Sequence, residues 1–303
     1  MTRFQILEAA LLAAQLWAAA PAAGQEQDVL ARADRLHQEE RHERVISLLG
    51  AQIEGIEDET RRAEFHWRLS RAYVNKTVLE LFTGLSEEAA LEQLSKGEEH
   101  GRRTVELCPG CAYGYFWQAS NMGKRGQLKG IMNSLFLADD LRDLIEETVR
   151  RQPDYPNSYY VLGQLYDQLP GWPVSFGSDD RAVSLGRLSI YLHEQLLEEG
   201  ALQARYNDYY TELARHLWSR NWSSRRRLRE QEDKRERRGD ADDSLLEAYL
   251  YEGTLRLEEI PDREEAGQIL EVVIRRLESV ENPNIRQKKD LAKARRVRSH
   301  WDR

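Results

Sequence analysis

The sequence predicts an all-α fold, a right-handed α-solenoid of helical hairpins with long inserts. Three observations predict it. Leu, Ala, Glu and Arg dominate the 303 residues, against 8 Pro and 19 Gly, and alternating Val, Ile and Thr never run long enough for a sheet. The segment RRQPDYPNSYYVLGQLYDQLPG sets Tyr159, Leu162, Gly163 and Tyr166 six residues and more beyond Pro153. Residues three, four and seven apart share a helix face, where large side chains form ridges and Gly admits a neighbouring helix. Finally, the same frame recurs along the chain.

That spacing is the first-helix signature of a tetratricopeptide repeat. Tyr115, Gln118, Ala119 and Met122 occupy the frame six residues beyond Pro109, and His66, Leu69, Ser70 and Tyr73 occupy it earlier. Tyr210, Leu213, Ala214 and Leu217 occupy it later, so the small position reads Ser, Ala, Gly, Ala. The steps between leading residues 66, 115, 159 and 210 are 49, 44 and 51, longer than the usual repeat of about 34. Longer helices or extra loops must fill the difference. TVLELFTGLSEEAALEQL after Tyr73 and LPGWPVSFGSDD after Tyr166 read as inserts.

The elements follow in order. Residues 1–24 read as a signal peptide: Arg3, the apolar run AALLAAQLWAAAPAA, small residues at Ala20 and Ala23, then polar Gln25-Glu26. The run is short for a bilayer span, so no membrane span is expected after cleavage, and a periplasmic or secreted destination follows. Residues 25–303 then form one solenoid, with units near 59–109, 110–153, 154–200, 201–238 and 244–280. The last hairpin is expected over 245–257 and 263–277, divided at Ile260-Pro261-Asp262, and a basic helix over 285–301 is expected to cap the array. Gly177-Ser178-Asp179 reads as a loop entering an N-cap.

Charge and chemistry narrow the function. With 44 Lys and Arg against 52 Asp and Glu the net charge is -8, so the chain as a whole offers nothing to nucleic acid. The basic stretch at 225–238 interleaves Glu230, Glu232, Asp233 and Glu236 at helical pair spacing and reads as a solvated helix or linker. No nucleophile elbow, zinc helix or phosphate loop occurs, and the seven His are scattered, so neither a catalytic site nor a metal or other cofactor is expected. Cys108 and Cys111, in LCPGCAYGY, stand at oxidoreductase spacing beside a helix start. The βαβ setting of such enzymes is missing. A short disulfide across the turn, a pair of free thiols and a thiol-redox site are the three readings.

Residues 105–190 resemble periplasmic tetratricopeptide proteins of the kind that includes the T component of TRAP transporters, and more distantly the regulator of microtubule dynamics family. The resemblance rests on ELCPGCAYGYFWQASNMGKRGQLKGIMNSLF and IEETVRRQPDYPNSYYVLGQLYDQLPGWPVSFGSDDRAV. It implies a non-enzymatic helical scaffold that binds a protein or peptide partner, a transporter's solute-binding protein among them, or a small hydrophobic ligand. The T component's lipobox cysteine is not present here.

In such a scaffold the inner groove is lined by the residue after each leading aromatic and by those four and seven or eight further on. That rule selects Trp67, Arg71 and Asn75, then Phe116, Ser120 and Lys124, then Tyr160, Gln164 and Gln168. Asn121 and Asn133, polar within apolar helices, are candidates for holding a backbone. Trp172, flanked by Gly171 and Pro173, is expected to fold back over the groove beside Tyr166 and Tyr160.

Overall fold

A computed structural model describes residues 22–301, apart from 203, 240, 242 and 254–259. The expected signal segment, 1–24, lies outside the described residues except for its last three, which open the first helix. The described residues are all helix, turn and loop, with no strand. In order, the helices are α1 Ala22–Gln38, α2 His42–Gly50, α3 Glu59–Phe82, α4 Glu87–Leu107, α5 Ala112–Lys129, α6 Ile131–Phe136 and α7 Ala138–Arg151. They continue as α8 Pro156–Gln168, α9 Asp179–Glu198, α10 Asn207–Arg220, α11 Ser224–Gly239, α12 Ser244–Tyr249, α13 Asp262–Glu278 and α14 Ile285–Trp301.

Local chemistry starts these helices where the sequence suggests. Asp58 and Ser86 accept the backbone N–H of Arg61 and Ala89 at the heads of α3 and α4, Ser178 accepts that of Arg181 ahead of α9, and Pro156 opens α8. The six-residue interval from proline to aromatic has a specific cause. The Tyr115 hydroxyl donates to the Pro109 carbonyl at 2.9 Å, and the Tyr159 hydroxyl donates to the Pro153 carbonyl at 2.6 Å. Each aromatic thus satisfies a turn carbonyl while its ring helps build the helix face.

Packing makes an array of hairpins: α1 with α2, α3 with α4, α5 with α7, α8 with α9, and α10 with α13. The array therefore begins one hairpin earlier than the frame at His66 suggests. The long steps are met partly by long helices, since TVLELFTGLSEEAALEQL is simply the end of α3, a turn and the start of α4. Small residues carry the closest contacts. A Cβ on Gly101 would stand 2.6 Å from the backbone of Gln118, and Gly97 faces the Asn121 amide. The Asn121 Nδ2 donates to the Ser70 carbonyl at 3.0 Å and to the Trp117 carbonyl at 2.8 Å, while the Ser70 hydroxyl donates to the Gly97 carbonyl at 2.6 Å. One buried amide thereby ties α3, α4 and α5. Asn133 is exposed and bonds only within its own turn, to the Lys129 carbonyl.

The C-terminal part corrects the sequence expectation. The unit at 201–238 is not a hairpin, because α10 packs along α13: Leu213, Ala214 and Leu217 share a core with Ala266, Leu270, Val273 and Leu277. Helices α11 and α12 are inserted between them. The helix expected over 245–257 stops at Tyr249, its positions 254–257 lying outside the described residues, and α12 rests on α7 and α9 with Leu245 and Ala248 buried. The chain at 225–238 is helical and mostly exposed, as its charge pattern suggests, yet Arg227 and Lys234 are buried. They reach Asp262 at 3.2 Å and Glu252 at 2.5 Å, so each cation enters the interior with a carboxylate. The expected end cap is also revised. Helix α14 packs on α13 and α10 and then reaches α3 across the inner face of the array.

Gly101→Ala should lower stability by about 2 kcal/mol, since the gain in helix propensity is smaller than the cost of pushing α4 from α5. Gly110→Ala, with nothing within 4 Å of its Cβ, should be close to neutral. Thermal unfolding of both variants checks this, and equal stabilities would refute the close α4–α5 contact.

Candidate functional site

The first helices α3, α5 and α8 present one shared face, and α14 lies across it. Between them is a cleft of about 760 Å³. Its apolar floor is Val74, Val78 and Phe82 from α3, Ala119 from α5, and Val161 and Leu165 from α8, with Leu141 and Leu135 behind. Its polar lining is Ser120, Lys124 and Gln127 from α5, Tyr160, Gln164 and Gln168 from α8, Asp208 from α10, and Lys289, Lys293 and Arg296 from α14.

Five of the ten groove candidates line this cleft: Ser120, Lys124, Tyr160, Gln164 and Gln168. The others do not, and each departure has a reason. Trp67 and Phe116 belong to the buried core. Trp67 lies under Arg68 and Arg71, whose guanidinium carbons are 4.0 and 4.9 Å from its ring, and Asp34 of the additional hairpin clamps both arginines, the Arg71 contact being 2.6 Å. Phe116 meets Tyr155 edge-on at 5.0 Å. Asn75 is engaged by α14, its amide oxygen accepting from Arg286 at 3.2 Å. Trp172 does not fold back over Tyr166 and Tyr160. It is 90% exposed, because Phe176 takes the place against Tyr166 at 5.3 Å and the Gly177 N–H closes the loop onto the Pro170 carbonyl.

The groove rule missed the roof. Residues 289, 292, 293 and 296 of α14 follow the i, i+3, i+4, i+7 pattern of one helix face, so a basic helix with an aligned stripe was there to be read. Nothing local says which surface that stripe meets.

The electrostatics of the cleft are uneven. Lys293 lies 2.6 Å from Asp208 and also pairs with Glu212, and the Tyr160 hydroxyl donates to Asp208 at 2.6 Å. Burial alone would raise the Asp208 carboxyl, but Lys293 and Lys289 hold it far below its usual range. Lys289 is 3.2 Å from Asp290. Lys124 has only the Gln127 amide, at 3.4 Å. Burial depresses its ammonium, and Lys289 and Lys293 depress it further. Lys124 is thus a half-buried cation that faces Lys289 and Lys293, is offset only in part by Asp208, and makes no direct ion pair.

Elsewhere the structure joins Cys108 and Cys111 in a disulfide across the turn between α4 and α5. Among the described residues no group of three His, Cys, Asp or Glu is placed to hold a metal ion, and no helix is long and apolar enough to cross a membrane.

With this geometry in view, comparison with known families adds one match. The profile described as "Regulator of microtubule dynamics protein 1-3" matches residues 29–167, a stretch from α1 to the last turn of α8. The chain is similar to that family over just under half its length. The match takes in nearly all of the additional hairpin and the whole cleft floor, but neither α14 nor Asp208. No curated protein matches.

Lys293→Met leaves Asp208 without its paired cation, while Glu212 keeps Arg215 at 2.8 Å, and should cost about 3 kcal/mol or more in urea unfolding. The variant's Asp208 loses the charge that held it ionised, so its folded-state carboxyl rises. The deficit relative to the parent should therefore shrink as pH falls from 7 toward 5. A loss that stays constant with pH would show that the carboxylates are not coupled to Lys293.

Proposed function

We propose that this chain is a non-enzymatic helical-repeat binding protein whose cleft holds an amphiphile with an anionic head. The observation that carries this reading is the pairing of an apolar floor, Val74, Val78, Val161 and Leu165, with Lys124, a half-buried cation without a direct ion pair. Pockets for small molecules are mostly apolar, with a few polar groups that orient the ligand. An acyl or alkyl chain would cover the floor, and a carboxylate or phosphate would pair with Lys124, with Arg296 lining the same cleft. The Gln164 and Gln168 amides would bond its remaining oxygens.

The N-terminal apolar run and the disulfide support an exported, oxidising setting for this work. A transporter-accessory role is a narrower form of the same reading, with the cleft as a carrier site for a solute. A protein or peptide partner would need the floor that α14 now roofs, so the present geometry favours a small ligand.

Calorimetric titration tests this with hexadecanoate and hexadecanol. The acid should bind and the alcohol should bind more weakly, and Lys124→Met should remove most of that difference, about 10-fold or more in affinity. Val161→Asp should abolish binding of both. Equal affinities for acid and alcohol, or no binding of either, would refute the reading. Trp172→Ala serves as a control for the rim: with its ring so exposed it should leave stability within about 0.5 kcal/mol, so any change in affinity reports contact with the ligand.

A further inference from the structure

The first turn of α14 reaches the N-terminal end of the array. There Arg286 inserts between the two ends of the molecule. Its guanidinium meets Glu40, in the turn between α1 and α2, at 2.7 Å, and the Asn75 amide of α3 at 3.2 Å. The pairing joins residues 246 apart in sequence. The remainder of α14 is seated by apolar contacts at its other end, where Leu291, Ala294, Val297 and Trp301 pack on α10 and α13 and Trp301 stacks on Trp218 at 4.3 Å. A polar clasp at its first turn, the Lys293 pairs with Asp208 and Glu212 midway and an apolar anchor at its last turn therefore hold the helix over the cleft.

Two histidines lie at the clasp. His37 ends α1 and His42 opens α2, with ring centroids 5.1 Å apart. His42 is buried, and neither of its ring nitrogens has a hydrogen-bond partner; the His37 Nδ1 has none either. The charged groups around them come from every neighbouring element. Asp34 of α1 is already engaged with Arg68 and Arg71 of α3, Glu40 with Arg286 of α14, and Glu43 of α2 with Lys76 of α3. The carboxylates are thus spoken for, and what reaches the two rings is the field of Arg71 and Arg286. Burial depresses both imidazoles, and those two arginines depress them further, His42 to about 3.

We propose that this junction is an acid-released clasp: with both rings neutral, Arg286 ties α14 to the N-terminal hairpin and keeps the array curled, and protonation of His37 and His42 undoes the tie and widens the cleft. The sign follows from linkage. The closed form disfavours the protonated rings, so its advantage is complete above the ordinary histidine value of about 6.5 and declines as pH falls below it toward the depressed values. Between pH 7 and pH 5 each histidine shifts the closed-to-open ratio by at most about 25-fold, and the pair by at most roughly 600-fold, the limit in which opening returns both rings to water. Helix α14 would stay anchored at Trp301, so release opens the array without unfolding it.

The test uses the full chain without ligand, so it stands or falls apart from the amphiphile reading. Amide exchange at residues 285–290, corrected for the intrinsic effect of pH, should lose protection by about 10-fold or more between pH 7 and pH 5. The radius of gyration should rise over the same interval, with helicity by circular dichroism unchanged. His37→Gln with His42→Gln should keep the protection at both pH values. His42→Gln alone should give the smaller, single-histidine response, and serves if the double variant does not fold. Arg286→Gln should already be released at pH 7. Protection that does not change with pH, the same loss in the histidine variants, or loss of helicity at pH 5 would each overturn the proposal.

Discussion

Lys293 and its two carboxylates decide what kind of surface this protein presents. A stack of helical hairpins leaves an open face along its first helices, and an open face of Val74, Val78, Val161 and Leu165 would be apolar surface in water. The pairing of Lys293 with Asp208 and Glu212 places α14 across that face and turns it into a cleft. Because Asp208 and Glu212 are largely withdrawn from water, the arrangement stands only while the cation is present. The roof is therefore conditional on charge, whereas the walls are conditional on packing.

The walls depend on close approach. Gly97 and Gly101 let α4 lie against α5 at a separation that a single added carbon would disturb. The Asn121 amide then satisfies backbone carbonyls that this contact buries. Tyr115 and Tyr159 repeat one device at the base of successive hairpins, each returning its hydroxyl to the carbonyl of the turn proline. These contacts join helices that pack directly on one another. The junction at Arg286 is different in kind, since it links the two ends of the array through polar groups alone.

Similarity to the regulator of microtubule dynamics family over residues 29–167 fits this division. The matched stretch builds three hairpins and enters the fourth, and so carries the floor of the cleft. The charged roof, with Lys289, Lys293 and Arg296, lies beyond it. Floor and roof are therefore separate parts of the chain, and the site is complete only when both are folded together.

Periodicity and turn chemistry determined the helices of this protein, the register of their buried faces and the place of most turns, because those depend on residues three to seven apart. They also marked half of the groove, Ser120, Lys124, Tyr160, Gln164 and Gln168, since the inner stripe of a first helix follows from its outer one. Tertiary structure alone decided the rest. Trp67 and Phe116 fit the same stripe, but Arg68 and Arg71, held by Asp34 of α1, cover the first, and Tyr155 ahead of α8 meets the second. Phe176 and Trp172 are both aromatic residues of one loop, and only loop closure settles which faces inward. The partner of α10 is α13, more than forty residues on, and α14 reaches back to residue 40. Such choices arise from shape and charge meeting across long separations, for which no local pattern exists.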